Sequence, residues 1–308
     1  MGIKNLIKNI LGRGTREYLI DKIVAFRSYR YSKLSPDKYP EMLKRIYHKQ
    51  TGKDLNLDNP QTFNEKIQWM KLYDNTPLKT RLADKYLMKQ YVSETVGDKY
   101  VVKLLGVWVT ASEIDFETLP QCFVLKTNHS CHTNIIVHDK AKLNIAKTRR
   151  KLDKWLRINA EFMNGFELQY KDIPRKIIAE EFIEGGATGL DDYKVWCFEG
   201  KAYYVQHLSD RNVGLLVEFY NTNWEKMPFV CSYPQNPVNT PKPERLDEML
   251  TVAEQLATGF HHVRVDFYIL KDGSLKVGEL TFTSAGGTCL WNPEEWDLKL
   301  GKLIRLPV

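Results

Sequence analysis

The sequence predicts a mixed α/β (α+β) protein with an α-rich N-terminal portion. The first observation is that apolar residues recur at helical spacing through the first hundred residues, as on the face formed by Ile3, Leu6, Ile7, Ile10 and Leu11. The second is that short apolar runs typical of strands begin at about Val101 and alternate with helical stretches. We therefore expect an α-rich N-terminal region, residues 1–100, and a second region, residues 101–308, built on strands.

Spacing and capping residues justify the helices of the first region. After the helix at residues 3–11, helices are expected at residues 15–29, 40–48 and 78–92. Thr62 and Glu65 have the spacing of a capping box, which predicts the start of a further helix that carries Ile67 and Trp69.

The second region is predicted to contain strands, hairpins and three helices. Apolar runs predict strands at residues 101–108, 122–129, 134–138 and 176–183, and a hairpin of residues 193–198 and 201–206 that turns at Glu199–Gly200. Helices are expected at residues 143–162, at residues 243–256 and from Pro293 onward, since proline suits the first helical turn. Five prolines between Pro228 and Pro243 indicate a surface loop.

Composition excludes several classes of protein. With 43% hydrophobic and 27% charged residues among 308, the chain is typical of globular rather than disordered or fibrous proteins. No apolar run is long enough to span a membrane, and the first residues lack the apolar core of a secretory signal. The five cysteines are too few and too scattered for a disulfide framework, which is typical of a reducing, cytoplasmic compartment.

The charge balance favours anionic partners. The chain has 45 Lys and Arg residues against 38 Asp and Glu residues, a formal net charge of +7. No nucleic acid partner is expected, because no finger spacing or concentrated basic block occurs. Lys4 and Lys8 border the apolar face of residues 3–11, which either lies on the inner face of an anionic membrane or docks on the protein's own core.

The most informative stretch is the predicted hairpin from His262 to Phe282. Asp272–Gly273 is the signal of a two-residue type I′ turn. In that register facing residue numbers sum to 545, so Asp266 faces Glu279, whereas a three-residue turn would separate the two acids. One face of the hairpin is apolar, and the other presents Arg264, Asp266, Glu279 and Thr281.

The facing acids indicate a metal site. Carboxylates opposite each other across a ladder have Cβ atoms about 4.5–5.5 Å apart, which is unfavourable unless positive charge lies between them. Mg²⁺ meets this need when phosphate oxygens complete its shell. Three alternatives stay open: a solvated polar face, Arg264 bridging both acids, or a shared proton, which the cationic neighbours disfavour. Asp266→Ala is therefore expected to have a mild or even favourable effect on stability, because it relieves repulsion in the metal-free protein, although activity should be lost.

The motifs of the chain together resemble one family. Asp on one strand, Glu thirteen residues later and a polar residue two further on are similar to the metal site of ATP-grasp enzymes, which fold two α+β subdomains around ATP. The resemblance is closest to the TupA-like ATP-grasp family, which is associated with teichuronopeptide and capsular polysaccharide assembly. It covers about residues 40–306 and is carried by NPQTFNEKIQWMKLYD, LADKY, FVLKTNH, VRVDFY, GELTFT and PEEWD.

The resemblance implies roles for single residues and makes residues 101–308 the nucleotide-binding and catalytic region. Lys126 resembles the first nucleotide-phosphate lysine. Glu180, Phe182 and Ile183 look like the hinge strand that meets adenine, and Asp192 resembles the acid that contacts ribose. The implied phosphate or acyl-phosphate contacts are Lys194 and Arg211, and Arg264 is implied to neutralise charge on the reacting group. The implied Mg²⁺ ligands are Asp266, Glu279 and Thr281.

Two positions depart from the family pattern. Thr281 stands where the superfamily usually has Asn, although its hydroxyl is still a neutral oxygen ligand. The loop Ser130–Asn134 contains no glycine, so its backbone cannot approach phosphates as freely as a glycine-rich loop.

The resulting hypothesis is a carboxylate–amine ligase that uses ATP and Mg²⁺ and forms an amide through an acyl-phosphate. The resemblance implies an amino acid and a uronic acid of an acidic surface polysaccharide, or of its lipid-linked precursor, as substrates. The alternatives are an ATP-grasp-type sugar kinase, a glycosyltransferase in polysaccharide assembly, and a non-catalytic nucleotide- or glycan-binding scaffold.

Overall fold

The computed structural model describes residues 13–185, 192–209, 214–236 and 238–307, with side chains from residue 22. Residues 3–11, and with them the predicted amphipathic helix, lie outside these ranges. Helices dominate up to residue 96, as the sequence predicts: α1 (Arg13–Ser32), α2 (Tyr39–Thr51), α3 (Phe63–Tyr73), α4 (Pro77–Ala83) and α5 (Lys85–Val96). No helix among the described residues is long and apolar enough to cross a membrane.

The first sheet is antiparallel and has the strand order β1-β4-β2-β3. Its strands are β1 (Leu104–Trp108), β2 (Phe123–Thr127), β3 (Asn134–Val137) and β4 (Ile177–Glu181). Phe123, Leu125 and Ile177 point into a core that is completed by α6 (Ile145–Leu156). Because side chains alternate along a strand, Lys126 and Glu180 lie on the opposite face.

The second sheet is also antiparallel and has the order β10-β9-β5-β6-β7. Its strands are β5 (Asp192–Phe198), β6 (Lys201–Ser209), β7 (Leu216–Asn221), β9 (His262–Ile269) and β10 (Leu275–Thr281). One face packs on α5 and on α7 (Leu246–Ala257) through residues such as Val195 and Val265. The other face packs on α3 and α8 (Glu295–Gly301) around Trp196 at one end and leaves a polar region at the other.

Most predicted elements are present, with a few differences in extent. The capping box of Thr62 and Glu65 is formed, and Glu199–Gly200 makes the β5–β6 turn with positive φ at both residues. The helix predicted at residues 78–92 is two helices, because Asp84 takes an extended conformation and caps α5 by accepting hydrogen bonds from its first amides. The basic helix predicted at residues 143–162 ends at Leu156, and β7 was not predicted.

The C-terminal hairpin has the predicted facing pairs but not the predicted turn. Leu270 and Ser274 close a three-residue loop, so the two-residue turn is wrong. Gly278 is an extra residue in β10, and this bulge shifts the register back by one. Asp266 therefore faces Glu279, and Arg264 faces Thr281. Glycine suits the bulge, since a Cβ there would lie 2.6 Å from the Tyr268 ring.

One disulfide departs from the sequence prediction. Cys231 and Cys289 are bonded, with Cα atoms 5.8 Å apart, and they join β8 (Val230–Cys231) to the segment before β11 (Trp291–Asn292). Their separation of 58 positions in the sequence explains why spacing does not indicate the pair. The expectation of reduced thiols is wrong for these two cysteines, whereas the described Cys122, Cys131 and Cys197 are free.

The boundary at residue 100 stays a prediction. Phe63 and Ile67 of α3 share a core with Trp196, and Met88 and Val92 of α5 share one with the opposite face of the second sheet. The N-terminal helices thus contribute directly to the packing that supports the polar region of that sheet.

Candidate active site

Three adjacent strands align the central residues of the candidate site. Lys194 on β5 faces Asp266 on β9, which faces Glu279 on β10. The next row along the same face is Trp196, Arg264 and Thr281. The structure therefore brings together the cation and acids that were predicted from separate motifs.

Asp266 is buried and bound by two cations. Arg264 donates from Nε to Oδ1 (2.6 Å) and from Nη2 to Oδ2 (2.8 Å), and Lys194 Nζ binds Oδ2 as well. Lys194 also lies 2.8 Å from Asp192 Oδ2. Burial alone would raise the pKa of Asp266, but Arg264 and Lys194 outweigh burial and hold the pKa below its ordinary value.

These contacts correct the argument from repulsion. The charge on Asp266 is compensated by side chains of the protein itself, so facing acids do not by themselves demand a metal. Arg264 does not bridge both acids; its Nη2 also donates to Thr281 Oγ1 at 3.2 Å. The premise on which Asp266→Ala was expected to be mild is therefore wrong.

Glu279 is more accessible than Asp266. Its side chain is 36% exposed, and Lys85 Nζ lies 4.0 Å from Oε1. Among the described residues, no group of three or more His, Cys, Asp or Glu side chains could hold a metal ion by itself. The two carboxylates and the Thr281 hydroxyl are nevertheless hard oxygen donors on one face, which fits Mg²⁺, an ion that keeps waters and phosphate oxygens in its shell.

The first sheet supplies a second charged cluster. Lys126 Nζ lies 2.5 Å from Glu180 Oε2, and Lys89 Nζ lies 3.0 Å from Oε1 of the same carboxylate. Lys89 also donates to the carbonyl of Val102 at 2.9 Å. Burial would raise the pKa of Glu180, but the two lysines hold it below its ordinary value. The carboxylate of Glu180 is thus paired with two lysines, and the backbone of Glu180 is part of strand β4.

The other predicted nucleotide contacts are only partly described. Phe182 and Ile183 follow β4, and the Phe182 ring lies 4.9 Å from that of His138. Asp192 is buried at the start of β5 beside Lys194. Arg211 lies outside the described residues, and its role stays a prediction.

Helix α5 contributes two lysines that the sequence analysis missed. Lys85 and Lys89 are one turn apart and so lie on the same side of the helix. Lys85 reaches toward Glu279 of the second sheet, and Lys89 reaches Glu180 of the first. Their i, i+4 spacing was the signal available in LADKYLMKQY, but lysines at that spacing also occur on ordinary exposed helices.

The long N-terminal motif has a structural explanation. Gln68 Nε2 donates to the carbonyls of Gly286 (2.9 Å) and Gly287 (2.7 Å), and Lys71 Nζ donates to Gly286 at 2.7 Å. Asn64 Nδ2 donates to the carbonyl of Cys289 at 2.7 Å. Three side chains of α3 thereby hold the backbone that follows β10, and burial lowers the pKa of Lys71 to about 8.

The glycine-free loop between β2 and β3 is held by side chains. The Thr127 and Thr133 hydroxyls are hydrogen-bonded across its base at 2.7 Å, and Lys85 Nζ donates to the Ser130 carbonyl at 2.8 Å. His132 adopts a positive φ of 57°. The loop thus has defined geometry without glycine, and Lys85 connects it to Glu279.

The sequence match decides the family. A family model described as TupA-like ATPgrasp matches residues 65–305, which include α5, both sheets and the charged clusters. The chain belongs to the TupA-like ATP-grasp family. The comparison with curated proteins found no match.

Solved structures of two ligases and a synthetase are distantly similar to this TupA-like chain. An L-amino acid ligase from Bacillus licheniformis is 14% identical, with a TM-score of 0.45, and the match covers 77% of this chain and 51% of that protein. D-alanyl-alanine synthetase A from Vibrio cholerae has 11% identity, a TM-score of 0.42 and coverages of 77% and 62%. D-alanine–D-alanine ligase from Bacillus anthracis, solved with ATP, has 16% identity, a TM-score of 0.40 and coverages of 66% and 55%. The chain thus spans about half to three fifths of each, and the family assignment rests on the sequence model alone.

Proposed function

We propose that this TupA-like protein is an ATP-dependent ligase that joins a carboxylate to an amine through an acyl-phosphate. The observation that carries the proposal is the row of Lys194, Asp266 and Glu279, with Arg264 bound to Asp266. Such a face combines donors for anionic oxygens with acids for a divalent cation, which suits phosphoryl transfer by positioning and charge neutralisation.

The proposed reaction has two steps. A substrate carboxylate oxygen attacks the γ-phosphorus of ATP, and ADP leaves. The amine nitrogen then attacks the acyl carbon, phosphate leaves, and the nitrogen loses a proton as the amide forms. Arg264 and Lys194 are proposed to neutralise the developing charge of the acyl-phosphate. Lys126 is the proposed phosphate contact on the first sheet, and Arg211 is proposed as a further contact to the phosphate or acyl-phosphate.

The remaining roles follow the family resemblance. The backbone of the Glu180–Ile183 segment and the Phe182 ring are proposed to meet adenine, and Asp192 is proposed to bind ribose. Asp266, Glu279 and Thr281 would hold Mg²⁺, which when bound supplies positive charge to the phosphates. Asp266 would share its carboxylate with Arg264 and Lys194 in that state.

The proposed substrates are an amino acid and a uronic acid of a surface polysaccharide or of its lipid-linked precursor. This assignment rests on the family resemblance. The net charge of +7 is compatible with an acidic glycan.

Trapping the acyl-phosphate with hydroxylamine tests the reaction class without knowledge of the natural amine. The full chain is incubated with ATP, Mg²⁺, hydroxylamine and a panel of uronic acids and uronic-acid oligosaccharides. We expect a hydroxamate together with one ADP and one phosphate per product. Glu279→Gln should abolish the signal, and Glu41→Gln is the matched control, because Glu41 pairs with Arg45 on the exposed side of α2.

Three results would contradict the ligase proposal. A stable phosphosugar with ADP and no free phosphate would indicate a sugar kinase. Binding of a nucleotide sugar without affinity for ATP would indicate a glycosyltransferase. Full activity of Glu279→Gln would remove the proposed metal ligand from the mechanism.

Lys85 is a further proposed contributor to the same site. It fixes the Ser130 carbonyl and faces Glu279, so its loss should loosen the β2–β3 loop on the phosphate side. We expect Lys85→Met to raise the Kd for ATP by about tenfold, the effect of one charge-assisted hydrogen bond. Lys99→Met is the control, since Lys99 is 69% exposed and pairs with Glu248. Equal affinities of the two variants would exclude this role.

A further inference from the structure

Helix α1 is fixed to the protein on one side. Arg27 Nη2 and Ser28 Oγ donate hydrogen bonds of 2.7 and 2.9 Å to backbone carbonyls in residues 159–163. The Tyr31 ring lies 5.3 Å from that of Phe166. These contacts define the docked side of the helix.

The opposite side of α1 exposes three large apolar side chains. Ile23, Phe26 and Tyr29 are 47%, 65% and 59% exposed. At 100° per residue they are grouped within one third of the helix circumference, roughly opposite Arg27, Ser28 and Tyr31. The helix is therefore amphipathic in an unusual way, because its outward side is apolar.

The same outward side is basic. Lys22 and Arg30 share it, and Lys33, just after the helix, lies 5.3 Å above the Tyr29 ring centroid. From Lys22 to Leu34 the sequence contains no Asp or Glu. We call Lys22, Ile23, Phe26, Tyr29, Arg30 and Lys33 together the outer face of α1.

This grouping differs from ordinary surface exposure. The remaining exposed large hydrophobic residues, such as Val109, Ile136 and Leu290, are spread over other elements. No other helix or strand in the described part of the chain exposes three of them. Single exposed hydrophobics are normal, whereas a contiguous patch marks an interaction surface.

We propose that the outer face of α1 binds an anionic lipid membrane. Phe26 and Tyr29 are side chains that favour the interfacial layer of a bilayer, and Ile23 adds apolar area beside them. Arg30 and Lys33 provide positive charge for anionic headgroups. A second copy of the chain is a poorer occupant, because a symmetric contact would bring the basic residues of two copies together without any acid on the face.

The membrane contact is peripheral. Helix α1 lies along the protein surface and is fixed by its docked side, so the outer face would rest on the lipid headgroups. The inference is independent of the ligase proposal.

Vesicle co-sedimentation of the full chain tests the proposal. We expect binding to phosphatidylcholine vesicles that contain phosphatidylglycerol, weak binding to pure phosphatidylcholine, and a decrease with added salt. Ile23→Ser/Phe26→Ser/Tyr29→Ser should weaken binding by about tenfold or more. Arg30→Ala/Lys33→Ala should weaken it by about fivefold per charge and only on the anionic vesicles.

The control is Val109→Ser/Leu290→Ser, which removes exposed apolar residues elsewhere and should leave vesicle binding unchanged. Equal binding to neutral and anionic vesicles would overturn the proposal, as would unchanged binding of both α1 variants. A wild-type dimer in lipid-free light scattering that the triple serine variant dissociates would also overturn it, because the face would then be a self-interface.

Discussion

At the residue scale, Asp266 and Glu279 face each other but have different surroundings. Asp266 is 2% exposed and bound by Arg264 and Lys194, whereas the Glu279 side chain is 36% exposed and 4.0 Å from Lys85. Two acids that look equivalent in sequence therefore differ in structural role: Asp266 is needed to compensate buried cations, and Glu279 is available to a ligand.

This difference predicts unequal losses of stability for two isosteric variants. Asp266→Asn leaves the buried Arg264 without its anionic partner and leaves Lys194 with Asp192 alone, and it should lower the free energy of unfolding by about 3 kcal/mol. Glu279→Gln removes a partly solvated charge and should change stability by less than about 1 kcal/mol while abolishing ADP release. Urea unfolding without nucleotide measures the first effect and coupled ADP release the second. A more stable Asp266→Asn protein would contradict this view.

At the element scale, the hairpin shows what sequence could and could not predict. The alternation of apolar and polar residues predicted the faces correctly along β9 and for β10 from Glu279 onward. Before the bulge it fails, because Leu275 and Val277 lie in the same core as Leu280. The turn did not follow the Asp-Gly signal, because Gly273 takes the left-handed position of a three-residue loop. The predicted facing of Asp266 and Glu279 is right only because Gly278 forms a bulge. A lone glycine in a strand was the only available sign.

Helix α3 illustrates the same limit. Its start was predicted from Thr62 and Glu65, because a capping box is a local interaction. The backbone groups that α3 binds were not predicted, because Asn64, Gln68 and Lys71 donate to carbonyls more than 200 residues away in the sequence. The sequence showed that these residues belong to a family motif, whereas their contact with the loop after β10 depends on tertiary structure. The Cys231–Cys289 disulfide escaped prediction for the same reason.

Packing of α8 on the start of α3 predicts an effect at Gly301. A Cβ at this position would lie 2.2 Å from the carbonyl oxygen of Gln61 and 2.8 Å from the Phe63 nitrogen, and backbone atoms cannot yield. We expect Gly301→Ala to lower the free energy of unfolding by about 3 kcal/mol, at the upper end of overpacking costs. Gly214→Ala is the control, since nothing lies within 4 Å of its added Cβ. Similar thermal midpoints for both variants would show that α8 can move aside.

At the scale of the whole molecule, buried histidines should make stability dependent on pH. Burial lowers the pKa of His262 to about 3 and that of His129 to about 4. The unfolded chain binds these protons near the ordinary histidine pKa of about 6.5. The contribution of these histidines to the free energy of unfolding is therefore fully present above about pH 6.5 and is lost as the pH falls toward their folded-state pKa values. This loss begins before Asp266 and Glu180 are protonated, because the pKa values of these two carboxylates lie below their ordinary values.

We expect each of the two histidines to contribute a slope of about 1.4 kcal/mol per pH unit between pH 6 and about 4 to the free energy of unfolding. His262→Asn should be destabilised at neutral pH, because it loses the hydrogen bonds to Cys197 and Ser284. The slope of its free energy of unfolding against pH should be smaller by about 1.4 kcal/mol per pH unit, the contribution of one proton. An unchanged slope in His262→Asn would show that this histidine titrates normally.

The carboxylates that pair with the lysines and the arginine of the site also affect how strongly the site attracts a polyanion. Lys126 and Lys89 share Glu180, and Lys194 and Arg264 share Asp266. A triphosphate that reaches these cations exchanges one ionic partner for another instead of gaining an unopposed attraction. The Kd for ATP should then change by less than about tenfold between low and high ionic strength, in contrast to ligand capture by an open basic surface. Because the net electrostatic attraction is small, such a site discriminates among ligands by the geometry of their contacts.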